Sequence, residues 1–383
     1  MPRRGGLRGP HRERLPHEGP LLAPVRGRSG AHPPRAPPAR PRRQGLAAPP
    51  GDPGRPAGRR LLRGPAVRAA HGPGLRSGTR DDPRHLPPRR NGARLMTSPR
   101  PLSPWDFPPG HPGTALLTGA TPQFALSTDP RFSFCLQVPR RHTPDGPPRP
   151  LLVVVHGTGR RSQALRDAFA DFAERYDCVV LAPLFPAGID GPNDVDGYKL
   201  LSPAGYRADT LLLAMVEEAA ARWHIRTDRF HLHGFSGGGQ FAHRFACLHP
   251  GRLASLSVGA PGRVTPFDPA TPWPRGTADA KRLFGHEADP ARLREVPVQF
   301  VIGADDTRTE ELAPGDEAPT VHRLARLRAL RANWHDHGIA SRLDTVPGTG
   351  HDHFAVLPAV RDFLAECVDG RGGRRQGRCS TGA

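Results

Sequence analysis

Phe230-His231-Leu232-His233-Gly234-Phe235-Ser236-Gly237-Gly238-Gly239 is the stretch on which the fold of this chain turns. A short β-like run ends at Gly234. Beyond Gly239, Phe241 and Phe245 stand four apart with Ala242 and Ala246 beside them, a spacing that predicts a helix. Between the two lies a serine with a glycine two residues away on either side. Gly234-Phe235-Ser236-Gly237-Gly238 is therefore a G-x-S-x-G match in a strand–turn–helix setting. A strand that turns straight into a helix crowds its own backbone, and a Cβ at either flanking position would clash. The serine Oγ then projects past the sheet edge. The amide of Gly237 opens a helix N-terminus beside it, where developing negative charge is favoured. A Gly/Ser turn without chemistry gives the same five letters. The strand before it and the helix after it favour a nucleophile.

Outward from this turn, strands and helices alternate. Residues 131–138 read as a strand stopped by Pro139. Leu151–Val155 is a continuous apolar run rich in valine, the mark of a strand covered on both faces in a parallel sheet. It runs into His156-Gly157-Thr158-Gly159. A helix is expected over 164–176, a buried strand over 178–182, and a long Gly/Pro/Asn/Asp loop over 183–203. The strongest helical pattern spans 206–223. After the serine turn come a strand at Leu253–Gly259, an irregular 260–296 stretch with a short helix near 278–283, and a strand at 298–302. A helix over 319–337, a strand over 341–346 and a closing helix over 354–367 follow. This alternation predicts an α/β fold, a mostly parallel, doubly wound sheet with helices on both faces. Ligands of such sheets bind outside the carboxyl ends of the strands.

Three polar signals fall at those carboxyl ends, in the order Ser236, Asp305-Asp306, His351. A serine hydroxyl is a poor nucleophile until a base takes its proton. An imidazole titrates in the range where it can take that proton and return it. An acid on the far ring nitrogen fixes the tautomer and stabilises the imidazolium. With these residues the chain resembles the α/β-hydrolase superfamily. It is most similar to serine esterases related to polyhydroxyalkanoate depolymerases and to feruloyl or acetylxylan esterases. The resemblance covers roughly residues 130–367 and implies an α/β-hydrolase fold and an acyl-enzyme mechanism. It implies Ser236 as nucleophile and His351 as base. It also implies Asp306 as acid, because Asp306 sits three residues past Gly303 in a G-x-x-D turn. Asp305 is the runner-up, since a slip of one residue in the turn exchanges the two. The oxyanion donors are expected to be the amides of Gly237 and Thr158, the latter in a His-Gly-Thr-Gly rather than a His-Gly-Gly-Gly segment. His156 is expected to tie its loop down. His353 is expected at the start of the last helix, without a catalytic role. His231 and His233 alternate on one side of a strand and read as packed histidines, too few for a metal site. Asn193, Asp194, Tyr198 and Trp273, from the loops at 183–203 and 260–296, are candidates for lining the pocket.

The net charge of +19 suggests nucleic acid until its distribution is read. Residues 1–95 carry 22 arginines and no lysine against five acids, a net of +17, and residues 369–383 carry a further +3. The body, 96–368, is left at −1. The first 95 residues have no aromatic residue and no apolar period, so they cannot bury enough surface to offset their ordering entropy. They are expected to be disordered, as are 369–383, with one catalytic domain between. A basic arm for nucleic acid is one reading of 1–95, and an inert solvated tail is another. A start assigned upstream of the true one, with Met96 the next methionine, is the favoured one. The five cysteines are odd in number and form no C-x-x-C pair. No apolar run is long enough to span a membrane, and no h-region follows Arg3-Arg4, so the expected location is the cytoplasm. No metal or organic cofactor is implied. The expected activity is hydrolysis of small or polymeric carboxylic esters. A serine peptidase of the prolyl-oligopeptidase type, and a non-enzymatic hydrolase-like scaffold with a basic arm, are the alternatives.

Overall fold

The structure, a computed structural model, describes residues 101–201, 205–307 and 321–370. The expected disorder of 1–95, and of 369–383 from residue 371 on, lies outside the described residues, whereas Asp369 and Gly370 form the turn that closes the last helix. Among those described, nine strands form one mixed sheet. They are β1 (Gly119–Ala120), β2 (Phe124–Leu126), β3 (Asp129–Val138), β4 (Leu151–Val155), β5 (Val179–Leu184), β6 (Phe230–Phe235), β7 (Leu253–Gly259), β8 (Val298–Gly303) and β9 (Arg342–Val346). The order across the sheet is β1-β3-β5-β4-β6-β7-β8-β9, with β2 on β3. From β5 to β9 every pairing is parallel, whereas β3 joins β5 antiparallel.

Both faces are covered, as the side chains of β6 show. Phe230 meets Phe245 of the helix Gly237–Leu248, with ring centroids 5.9 Å apart. His233, three residues on and so on the opposite face, meets His353 of the helix His353–Val368. β4 lies at the centre with all five side chains buried, as its apolar run requires. Phe230, Phe241 and Phe245 are fully buried, and each contributes about 2–3 kcal/mol through area removed from water.

The strand order sets where a site can form. The chain passes from β4 outward to β5, then crosses back to lay β6 on the other side of β4. The connections leaving the carboxyl ends of β4 and β6 therefore diverge, and a crevice opens between them. Val155 pairs with Gly234 at the last rung before that crevice.

Local structure departs from the sequence expectation at several points, among them a second short helix, Pro290–Leu293, in the 260–296 stretch. The single helix expected over 164–176 is two, Ser162–Ala168 and Ala170–Tyr176, broken at Phe169, whose buried ring packs on Phe172. The loop 183–203 contains a short helix, Gly197–Leu200. The lead-in before residue 121 ends in β1, with β2 following, and both are held as edge partners of β3. Cys135, Cys178 and Cys247 are buried and unbridged.

Candidate active site

Ser236 sits between the end of β6 and the first turn of Gly237–Leu248, at φ 56° and ψ −114°. A non-glycine residue in that region stores roughly 1–3 kcal/mol of backbone strain. The surrounding glycines make the turn sterically possible. A Cβ on Gly234 would collide with the carbonyl oxygen of Gly238, and one on Gly238 with that of Val155 in β4. The Ser236 amide donates to Gly259 O at 2.9 Å, so β7 holds the turn from the other side.

The three sequence-derived side chains meet. His351 Nε2 lies 2.9 Å from Ser236 Oγ, and His351 Nδ1 lies 2.6 Å from Asp306 Oδ2. Asp306 is buried, and its other oxygen lies 3.5 Å from the guanidinium of Arg323, the first residue of the helix Arg323–Asp336. Nothing in the sequence near Arg323 signals this ion pair, because it depends on where a helix 17 residues later returns to the sheet. Asp305, the runner-up, is exposed, and its amide donates to Thr349 O at 2.9 Å.

The loop after β4 closes over the serine. A Cβ built on Gly237 would lie 3.1 Å from the Thr158 amide nitrogen, so the Gly237 and Thr158 backbones lie close together. Gly237 is the first residue of its helix, and its amide has no intrahelical acceptor. The loop is pinned from behind. Arg160 donates to Thr158 O at 2.6 Å and to Phe185 O at 3.4 Å. His156 is buried, accepts from the Phe185 amide on Nε2 at 3.0 Å, and meets Gly157 O through Nδ1 at 2.8 Å. Burial lowers its pKa to about 4, which suits a neutral ring with its proton on Nδ1. It ties the loop down, as expected.

A cavity of about 560 Å³ opens at Ser236. Its wall is built from the 156–161 loop, Leu165, Phe235 and residues 351–354. None of the pocket candidates Asn193, Asp194, Tyr198 and Trp273 lines it. Tyr198 is instead buried behind Gly237, where its hydroxyl donates to His156 O at 3.1 Å, and Trp273 donates from its indole to Leu200 O at 2.8 Å. His353, at the start of the last helix as expected, does line the cavity, which its sequence position had not suggested. His231 and His233 are buried and bonded to Ser255 and Ser257. No group of three or more metal-ligating side chains occurs among the described residues, and no described helix is long and apolar enough to cross a membrane.

Solved structures share this architecture, among them two at 25% identity. A poly(aspartic acid) hydrolase from Sphingomonas sp. KT-1 superposes with a TM-score of 0.55 at 25% identity, over 65% of this chain and 99% of that one. A poly(3-hydroxybutyrate) depolymerase from Bordetella parapertussis superposes with a TM-score of 0.52 at 25% identity, over 66% of this chain and 91% of that one. No family model and no curated protein sequence matches the chain. The sheet order, the strained serine turn, and these two structural likenesses together place the chain in the α/β-hydrolase superfamily.

Proposed function

We propose that this chain is a serine hydrolase of carboxylic esters that works through an acyl-enzyme, with its catalytic domain within residues 96–368. The observation that carries the reading is the His351 ring, in hydrogen-bond reach of Ser236 Oγ on one nitrogen and of Asp306 on the other. His351 Nε2 takes the Ser236 proton as Oγ bonds to the ester carbonyl carbon. The carbonyl oxygen becomes an oxyanion, held by the Gly237 and Thr158 amides. When the intermediate collapses, the carbon–alkoxide bond breaks and His351 returns the proton to the departing alcohol. A water then enters, His351 takes its proton, and hydroxide attacks the acyl carbon. Ser236 leaves, recovers the proton, and the acid is released. Asp306 keeps its negative charge throughout and stabilises the imidazolium. The expected substrates are small or polymeric carboxylic esters, and the two similar structures are described as hydrolases of polymers.

A fluorophosphonate probe tests the reading. Wild-type protein is expected to be labelled and to cleave short acyl nitrophenyl esters, and Ser236→Ala to do neither. Labelling that survives Ser236→Ala, or wild-type protein without esterase activity, overturns it.

A further inference from the structure

Two histidines follow the Gly348-Thr349-Gly350 turn, and the triad uses only the first. The second, His353, lines the same cavity. Its ring lies nearly parallel to that of Phe235, the neighbour of Ser236, with planes 9° apart and centroids at 4.8 Å. Its Nε2 lies 2.9 Å from Nε2 of His233, beneath it in β6. Of two imidazole nitrogens so placed, one donates and the other accepts.

The residues below decide which. The Gln299 amide nitrogen donates to the Asp344 carboxylate and to Ala359 O, so its oxygen faces Ser257. Ser257 Oγ donates its only proton to that oxygen at 2.7 Å. Towards His233 Nδ1, at 3.0 Å, Ser257 can then only accept. His233 therefore carries its proton on Nδ1 and accepts on Nε2, and the donor to it is His353 Nε2–H. The chain His353–His233–Ser257–Gln299–Asp344 runs in one direction from the cavity to a carboxylate. It fixes a proton on His353 Nε2, so the neutral ring carries its lone pair on Nδ1. Burial also lowers the pKa of both rings, that of His353 to about 4. His353 Nδ1 has no partner among the described residues. Of its polar neighbours in the wall, Arg161 lies over the Phe354 ring, its guanidinium carbon 5.7 Å from the centroid. Arg160 donates to the carbonyls of Thr158, Phe185 and Val195, and the Asp352 carboxylate accepts from the Phe354 and Ala355 amides.

We propose that His353 is a specificity residue of the Ser236 site, its Nδ1 accepting a hydrogen bond from a hydroxyl or amide N–H that the substrate carries beside its scissile ester. The preferred substrates are thus esters with a hydrogen-bond donor close to the reacting carbonyl. A substrate lacking the donor leaves the acceptor without its partner in the filled site. The inference rests on the proposed hydrolase reading.

Matched ester pairs test it, one differing by a hydroxyl on the acyl part (nitrophenyl 3-hydroxybutyrate against butyrate), the other on the alcohol (2-hydroxyethyl against propyl butyrate). Wild-type kcat/KM is expected to favour the hydroxylated member of at least one pair by about tenfold, the worth of one neutral hydrogen bond. In His353→Phe that ratio is expected to fall to near one. In His353→Gln it should be partly restored, since an amide can donate to His233 and accept from substrate at once. Equal rates within both pairs for the wild type overturn the proposal, whatever becomes of the variants, and so does an unchanged ratio in His353→Phe. Wild-type protein that fluorophosphonate labels but that shows no preference defeats this inference alone. Protein that is not labelled defeats the hydrolase reading beneath it.

Discussion

Asp305 and Asp306 are chemically identical neighbours with opposite fates. Asp306 is buried, 2.6 Å from His351 and beside Arg323, whereas Asp305 faces solvent. An exposed carboxylate with no bond to the ring cannot fix an imidazole tautomer, so the two substitutions should separate cleanly. Asp306→Asn is expected to lower kcat by about four orders of magnitude, because the amide stabilises the wrong tautomer and cannot stabilise the imidazolium. Asp305→Asn is expected to stay within about twofold of wild type, the usual range of a surface substitution remote from the chemistry. Steady-state kinetics on a nitrophenyl ester read both, and similar losses in the two variants would remove Asp306 from the role proposed for it. The residue types were legible in the sequence because each stands where a strand ends. The choice of Asp306 over Asp305 came from the G-x-x-D turn that the resemblance supplied; apolar patterning alone places the end of β8 only to within a residue, which kept Asp305 as runner-up. Arg323 and the relay beneath His353 were not legible. Both are made by long-range contacts between side chains that look ordinary in their own segments.

At the scale of elements, the strand–turn–helix unit around Ser236 depends on backbones that touch. The Gly238 Cα faces the Val155 carbonyl of β4, and a methyl there has no rotamer by which to escape. Gly238→Ala should therefore force β4 and the nucleophile helix apart, costing roughly 1–3 kcal/mol or more. The expected result is a fall in melting temperature of roughly 4–10 °C in a domain of this size, together with loss of fluorophosphonate labelling as the turn is displaced. A variant that melts with wild type and labels normally would show that the close approach is not required. The elements most legible in sequence were those whose own composition suffices. β4 and β7 were delimited to the residue: β4 is a continuous apolar run between Pro150 and His156, and β7 follows Arg252 and ends at Gly259. β1 and β2 escaped notice because two or three residues carry no period and exist as strands only through β3. The helix break at Phe169 escaped for the opposite reason, since the apolar spacing runs through it without a glycine or proline. The cavity wall was sought in the long loops at 183–203 and 260–296, whose composition looks functional. It is instead supplied by the short turns at the strand ends, where the crossing of β4, β5 and β6 opens the crevice.

At the scale of the whole molecule, the described body holds an unusual load of buried neutral imidazoles. His142, His156, His231, His233 and His243 are all buried, and burial is the largest cause lowering each pKa. His142, His156 and His231 fall to about 4, His243 to about 3, and His233 well below the ordinary value of 6.5. Several are fixed as acceptors: His156 Nε2 accepts from the Phe185 amide, and His243 Nε2 from that of Thr265. Protonation would turn each acceptor into a donor aimed at a donor. The unfolded chain, with these rings titrating near 6.5, binds more protons than the folded one from there down to about pH 4. Stability is then full above about pH 6.5 and is lost as the pH falls through this window. His142, His156, His231 and His243 each contribute on the order of 3 kcal/mol at neutral pH relative to pH 4, and His233 acts in the same direction. A domain of ordinary stability, about 5–15 kcal/mol, does not survive the loss of all five. The full chain is accordingly expected to show a urea midpoint that falls steadily between pH 7 and pH 5, with cooperative unfolding before pH 4. Unfolding followed by tryptophan fluorescence at half-unit pH steps measures it. A midpoint that holds level down to pH 4.5 would mean that these rings are already charged, or reached by water, in the folded protein.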